Sequence, residues 1–205
     1  MQHVLIGLIG VLALRSLASA QTSPPPVSPT DTGTMERPFA EGGRVHLQLA
    51  SGDYTVRAGA SDRVIVRWSA GDETRLKDLR ELFVNVRVTG STAVIVTDGK
   101  TRHVDFVIEL PARSDVSLRM RAGEVRLHGI EGHKDVRMTA GELKIGVRRA
   151  SLASAHASVT FGDLDARALG ISKSGIKRTI DWFGGGEYEL DARLGAGDLR
   201  VVENR

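Results

Sequence analysis

Ala122-Gly-Glu-Val-Arg-Leu127 returns eighteen residues later as Ala140-Gly-Glu-Leu-Lys-Ile145. Looser copies stand at Ser51-Gly-Asp-Tyr-Thr-Val56, Phe161-Gly-Asp-Leu-Asp-Ala166 and Ala196-Gly-Asp-Leu-Arg-Val201. Each copy has a small or apolar residue, a glycine, an acid, and then apolar residues in alternation. Glycine tolerates a positive φ at a turn. The acid can accept from nearby backbone N–H groups. The alternation that follows opens a strand with one buried face. A recurring turn-plus-strand unit predicts stacked β-coils or repeated hairpins. From Gly141 to Gly162 is 21 residues, close to the 18 between Gly123 and Gly141. The wider gaps, 35 from Gly162 to Gly197 and 71 from Gly52 to Gly123, read as multiples of one step with degenerate coils between.

Outward from these copies the chain reads as strand after strand. Val45, Leu47 and Leu49 alternate, as do Val64, Val66 and Trp68, then Val84, Val86 and Val88, then Val94 and Val96. Val104, Phe106, Ile108 and Leu110 continue the pattern, followed by Val116, Leu118 and Met120. Period two places one face in the core and one in solvent. Asp72–Leu82 departs from it: Leu76, Leu79 and Leu82 are spaced by three among charged residues, which predicts a short helix with Asp72 as N-cap. Ile180–Phe183, the glycines 184–186 and Glu187–Ala192 predict a hairpin, with Trp182 and Tyr188 closing the end of the core.

Met1–Ala20 has the form of a secretory signal, with an apolar run over Val4–Leu14 and a small-residue cleavage site at Ala18-Ser-Ala20. The run is too short to span a bilayer, so no transmembrane span is expected in the mature chain. Residues 21–38, with Ser23-Pro-Pro-Pro26 and Pro29, read as a Pro/Ser/Thr-rich linker. Residues 39–205 are the β-strand-repeat domain. The 205 residues contain no cysteine, which excludes a lipidated-cysteine anchor, disulfides and a thiolate zinc site.

Chemistry is thinly marked. The formal charge is +3, with acids and bases interleaved as in Arg119, Arg121, Glu124 and Arg126. Nucleic-acid binding would need clustered bases and stacking aromatics, so no nucleic-acid partner is expected. The repeat acids Asp53, Glu124, Glu142, Asp163 and Asp198 would form a column if the copies stacked in register. The density of oxygen ligands that calcium requires is missing, so turn capping and pairing with Arg and Lys is the preferred role. His46, His103, His128, His133 and His156 lack zinc-ligand spacing. Asp163 and Asp165 share a strand face with Leu164 turned to the core, and Ser151, Ser154 and Ser158 near His156 lack a nucleophile elbow. No catalytic, cofactor-binding or metal-binding residue is assigned, and no cofactor is expected.

Val107-Ile-Glu-Leu-Pro111, Arg121–Leu127, Gly129-Ile-Glu-Gly132, Arg137–Ile145 and Leu194-Gly-Ala-Gly-Asp-Leu199 together resemble the DUF4097 or "putative adhesin" family of exported bacterial β-strand-repeat proteins. The resemblance runs from about Phe39 to Val202. It implies a β-helix-type solenoid with a flatter N-terminal sheet, in the cell envelope. It implies no mechanism and carries no catalytic residue.

The expectation is therefore an all-β, solenoid-like stack of short strands with one short helical insertion. The expected function is that of a non-enzymatic, periplasmic or extracellular adhesin-like binding or scaffolding module. Its partner would be an unidentified envelope protein or glycan. A glycan-active enzyme on the same scaffold is the alternative.

Overall fold

The computed structural model describes residues 32–70, 81–99 and 104–204, apart from the side chains of residues 174 and 175. The chain is all-β. Twelve strands form one large sheet that does not close: β1 (Thr32–Pro38), β2 (Gly43–Leu49), β3 (Gly52–Ala58), β4 (Arg63–Ala70), β5 (Phe83–Thr89), β6 (Thr92–Asp98), β7 (Val104–Leu110), β8 (Ser114–His128), β9 (Lys134–Val147), β10 (Leu152–Ala166), β11 (Ile171–Phe183) and β12 (Tyr188–Glu203). The spatial order is β1-β4-β7-β3-β8-β9-β12-β10-β11, with β2 pairing β8 and β6, and β5 pairing β6. The middle is parallel and in register. Antiparallel strands flank it: β4 with β1 and β7, β5 with β6, and β11 with β10.

The recurring hexapeptide lies inside long strands, not at the turns between them. β8, β9, β10 and β12 each run through their copy, and β2 and β3 together align with β8 across theirs. The inward side chains explain this placement. Before the glycine of β8, even-numbered residues are buried: Val116, Leu118 and Met120. After it, odd-numbered ones are: Val125 and Leu127. Five residues separate the last inward side chain from the next at Met120/Val125, Met138/Leu143, Val159/Leu164, Leu194/Leu199 and Leu49/Tyr54. An odd spacing would flip a flat strand onto its solvent face. The register runs one-to-one through the glycines, so all the strands bend together at this positive-φ position, and both halves keep their apolar side on one core. Gly123, Gly141, Gly162 and Gly197 take φ values of +122 to +130° there, a conformation open to glycine at little cost.

The five glycines are spatial neighbours, in the order Gly52, Gly123, Gly141, Gly197, Gly162. Gly52 touches Gly123 directly, so no strand of the 71-residue gap lies between them in the sheet, and β6 and β7 pair in parallel with the far sides of β2 and β3. The gap holds β4 to β7, which extend the sheet beyond β2 and β3. Gly197 sits between Gly141 and Gly162 because β12 inserts between β9 and β10. The expected hairpin over 180–192 does not form for the same reason. β11 and β12 lie on opposite sides of β10, and the glycine loop crosses the start of β10, with the Gly184 and Gly186 N–H groups donating to Ala153 and Leu152 at 2.9 and 3.0 Å. Trp182 and Tyr188 are partly buried against the core.

Inward residues stack in columns across the parallel strands. Leu47, Leu118, Val136, Ala192 and Ala157 form one column, and Val56, Leu127, Ile145, Val201 and Ala166 another. Burying each Leu or Ile fully contributes roughly 1.5–3 kcal/mol relative to leaving it exposed. Near the N-terminal edge Tyr54 stacks on Phe106, with ring centroids 4.6 Å apart. Two further sequence expectations need correction. On β6 the buried side chains are Ala93, Ile95 and Thr97, so Val94 and Val96 face outward. β1 occupies residues assigned to the linker, because Met35 is buried and the strand pairs with β4 along its whole length. The expected helical insertion, apart from Glu81 and Leu82, lies outside the described residues, as does the expected signal segment. The described helical structure is two single 3-10 turns, Arg149–Ser151 and Arg167–Leu169.

Thr97 has an outsized role for a core hydroxyl. Its Oγ1 accepts from the Ala50 N–H at 3.0 Å and shares a 2.7 Å hydrogen bond with the Tyr54 hydroxyl. Thr97→Val keeps the shape and strips a partner from two buried polar groups. The expected loss is about 1–3 kcal/mol of unfolding free energy, read by denaturant titration; an unchanged midpoint would contradict this role.

Candidate functional site

The in-register ladder sets outward side chains in rows just as it sets inward ones in columns. Beyond the glycines, Asp53, Glu124, Glu142 and Asp198 are register partners on adjacent strands, and the same offset places Asp163 beside Asp198. The next outward row is Thr55, Arg126, Lys144, Arg200 and Asp165. Its bases pair with three of the acids. Arg126 pairs with Glu124, and Arg200 reaches Glu142 at 2.5 Å and Asp198 at 3.4 Å. Among the described residues no three His, Asp or Glu side chains gather as a metal-binding group. The row is a paired charge lattice.

The other polar residues singled out in the sequence do not converge. Leu164 is fully buried, Asp163 is exposed and Asp165 pairs with Arg167 at 2.7 Å. His156 meets Asp181 on β11 at 2.7 Å, and Ser151 Oγ donates to the Arg148 carbonyl at 2.8 Å. No hydrogen bond joins His156 to Ser154 or Ser158. His133 Nδ1 accepts from the Glu189 N–H at 3.2 Å and its ring meets Tyr188 edge-on. Burial, and then the charges of Arg57 and Lys144, push His128 below the usual imidazole range. His46 lies on β2 between Val94 and Ser117 of the neighbouring strands, and His103 lies outside the described residues. Glu109 is different in kind. Partial burial works to raise its pKa, but hydrogen bonds from Arg57 and Arg67 outweigh that and hold the carboxyl below its ordinary range. It is a clamp between β3, β4 and β7.

The notable concavity lies on the other half of the sheet. Ahead of the glycines, Gln48, Arg119, Arg137, Arg193 and Ser158 form one outward row across β2, β8, β9, β12 and β10. They line a groove of about 1070 Å³ that also takes in Arg121, Thr139 and Thr160. The arginines are held by the acids of the neighbouring row. Arg119 donates to the Asp135 carboxylate and to the Leu118 and Asp135 carbonyls at 2.9 and 3.0 Å. Arg137 approaches Asp135 at 3.4 Å, and Arg193 grips Asp191 with two hydrogen bonds of 2.9 and 2.8 Å. Burial raises Asp135, but Arg119 and Arg137 overcome it and keep the carboxyl below its ordinary range. Each of the three guanidinium-bearing side chains is 40–51 % exposed. Arg121 has no hydrogen bond or ion pair among the described residues.

Sequence reading missed this row, yet a signal for it was there. Each arginine stands four residues before its repeat glycine: Arg119 before Gly123, Arg137 before Gly141, Arg193 before Gly197. Read along the chain the charges look interleaved; read across the strands they segregate into rows.

No family model matches the chain, and no curated protein matches it. Among solved structures it resembles a "putative cell adhesion protein" from Clostridium sporogenes, with a TM-score of 0.52, 11% identity, and coverage of 84% of this chain and 99% of that one. A weaker likeness is to a "putative adhesin" from Bacteroides fragilis, with a TM-score of 0.25, 11% identity, and coverage of 85% and 99%. At these identities the first likeness concerns the fold alone.

Proposed function

We propose that the chain is a non-enzymatic exported cell-envelope protein of the DUF4097 type, acting as an adhesin-like binding or scaffolding module. In this reading the parallel strands are successive coils of a solenoid-like stack, with a flatter N-terminal region around β1, β4, β5, β6 and β7. Residues 1–20 are the signal peptide, and the stretch up to β1 is the linker. The mature chain lies in the periplasm or outside the cell.

The observation that carries the reading is the pairing of the outward rows. The repeat acids are spread across neighbouring strands instead of converging on a substrate, and Glu124, Glu142 and Asp198 are held by Arg126 and Arg200. Glycoside hydrolysis needs two carboxyls facing each other across the bond; here the acids lie side by side on one sheet face. Such rows suit recognition by surface complementarity on a rigid scaffold. The fold likeness to a protein named for cell adhesion supports the class, though a shared fold does not by itself transfer a function.

The test is to incubate the purified protein with an isolated cell-envelope fraction and follow both retention and soluble glycan. Saturable retention, displaced by untagged protein and with no fragment released, is expected. Glycan fragments that appear with the wild-type protein and vanish with Asp163→Asn or Asp165→Asn would overturn the reading in favour of the enzyme.

A further inference from the structure

We propose that the arginine groove ahead of the glycine ladder is a binding site for a carboxylated, polyanionic glycan chain; this deepens the binding-module reading and rests on it. Arg119, Arg137 and Arg193 stand on successive strands, about 4.8 Å apart from one to the next, and Arg121 adds a fourth, unengaged guanidinium. Among the described residues lining the groove Asp98 is the one acid, and its carboxylate already accepts from the Gly99 N–H at 2.7 Å. Asp135 and Asp191 hold the guanidinium groups in place, but with Asp98 these are three carboxylates among the described residues, and they do not balance four arginines. The groove therefore keeps a net positive charge with its donors pre-oriented, and Arg matches planar carboxylates through paired N–H donors.

Shape selects among anions. The groove crosses β6, β2, β8, β9, β12 and β10, so its long axis runs over about five inter-strand steps, roughly 24 Å. An extended chain lies along such a furrow, whereas a bilayer surface meets a convex or flat face. Thr139, Ser158, Thr160 and Gln48 supply neutral hydrogen-bonding groups between the charges, suited to sugar hydroxyls. No aromatic ring stands among the described residues that line the groove, so these offer nucleobases no stacking platform. A peptide adding as a strand needs a free sheet edge, and this groove lies across strands whose edges are already paired.

The probe is an oligogalacturonate of six to eight units, with its fully methyl-esterified twin as a neutral control of the same backbone. Calorimetry with the wild-type protein should show binding of the free acid and at least roughly 10-fold weaker binding of the ester, with affinity falling as salt rises. Arg137→Gln and Arg193→Gln should each weaken binding by roughly 10-fold or more, the loss of a charge-assisted hydrogen bond, while Arg137→Lys recovers part of it. Equal binding of acid and ester, binding unaffected by both Gln variants, or binding to phosphatidylglycerol vesicles without binding to the oligogalacturonate would each overturn the proposal. Envelope retention that persists in Arg137→Gln/Arg193→Gln would leave the binding module standing and remove only this site. Loss of retention by the wild-type protein would remove the module itself.

Discussion

Gly141→Ala is expected to cost the fold about 4 kcal/mol or more and to leave little folded protein near room temperature. A Cβ built on Gly141 would lie 1.9 Å from the Gly123 carbonyl oxygen and 2.6 Å from Met138 Cε, with the backbone at φ +122°. The Met138 side chain can move; the carbonyl cannot, because it belongs to the next strand of the ladder. The same collision recurs along the row: Gly123 against the Gly52 oxygen at 2.0 Å, Gly197 against the Gly141 oxygen at 1.9 Å, Gly162 against the Gly197 oxygen at 2.0 Å. One methyl group would force two strands apart where three more of the ladder must remain in register, adding the strain of a disfavoured φ to lost packing on both sides. Gly90→Ala is the matched control. Gly90 has φ +57° and nothing within 4 Å of the added Cβ, so its cost should be the roughly 1–2 kcal/mol of a left-handed alanine. Chemical denaturation of the two variants decides the matter. Equal losses would mean that φ alone makes the ladder glycines necessary and that the close approach is irrelevant. Gly141→Ala with Gly197→Ala should also cost less than the sum of the two, because the residues touch and the first already opens the gap.

This ladder marks how far the sequence could be read. The hexapeptide announced a repeated β unit, and period two located most of the core: Val45, Leu47 and Leu49, or Phe106, Ile108 and Leu110, are buried as their alternation demands. The position of the glycine within the strand was less accessible. A glycine–acid pair signals a turn between strands more often than a bend within one, and only the constant five-residue interval across it shows that both flanking segments face one core. Val94 and Val96 misled because Ala93 is small and Thr97 polar, so the truly inward set looked weaker than the outward one; Thr97 is tolerated inside because Tyr54 and Ala50 bond to its hydroxyl. Strand order was beyond local reading altogether. Nothing near residue 188 says that β12 will lie between β9 and β10, where Ala192 and Leu194 align with Val136 and Met138 on one side and with Ala157 and Val159 on the other. The arginine groove shared this fate: its members are 18 and 56 residues apart and become one row only once strand order is known.

Lys134→Met is expected to stabilise the protein, by about 2 kcal/mol at neutral pH. Lys134 occupies a place in an inward column where its register neighbours are Val116 and Leu190, and it is 4 % exposed. Its Nζ donates to the Gly132 carbonyl at 3.0 Å. Burial pushes its pKa down from 10.5 to about 8, against the opposing pull of Glu131 and Asp115. The folded state thus holds the proton less tightly than the unfolded chain does. Below about pH 8 the lysine is charged in both states, and the cost of keeping that charge inside is fully present. Between about 8 and 10.5 the folded protein sheds the proton while the unfolded chain retains it, so stability rises with pH across that window. A difference of that size corresponds to roughly 3 kcal/mol at 1.36 kcal/mol per unit, and losing the hydrogen bond to Gly132 returns about 1 kcal/mol of it. Methionine fills a similar volume and adapts to irregular space. The measurement is the unfolding free energy of both proteins at pH 7 and at pH 10. The variant should lead at pH 7 and lose most of its lead at pH 10. A lead that does not shrink would mean that packing, not the buried charge, sets the difference, and a less stable variant at pH 7 would mean that the ammonium supports the 129–133 turn more than its burial costs.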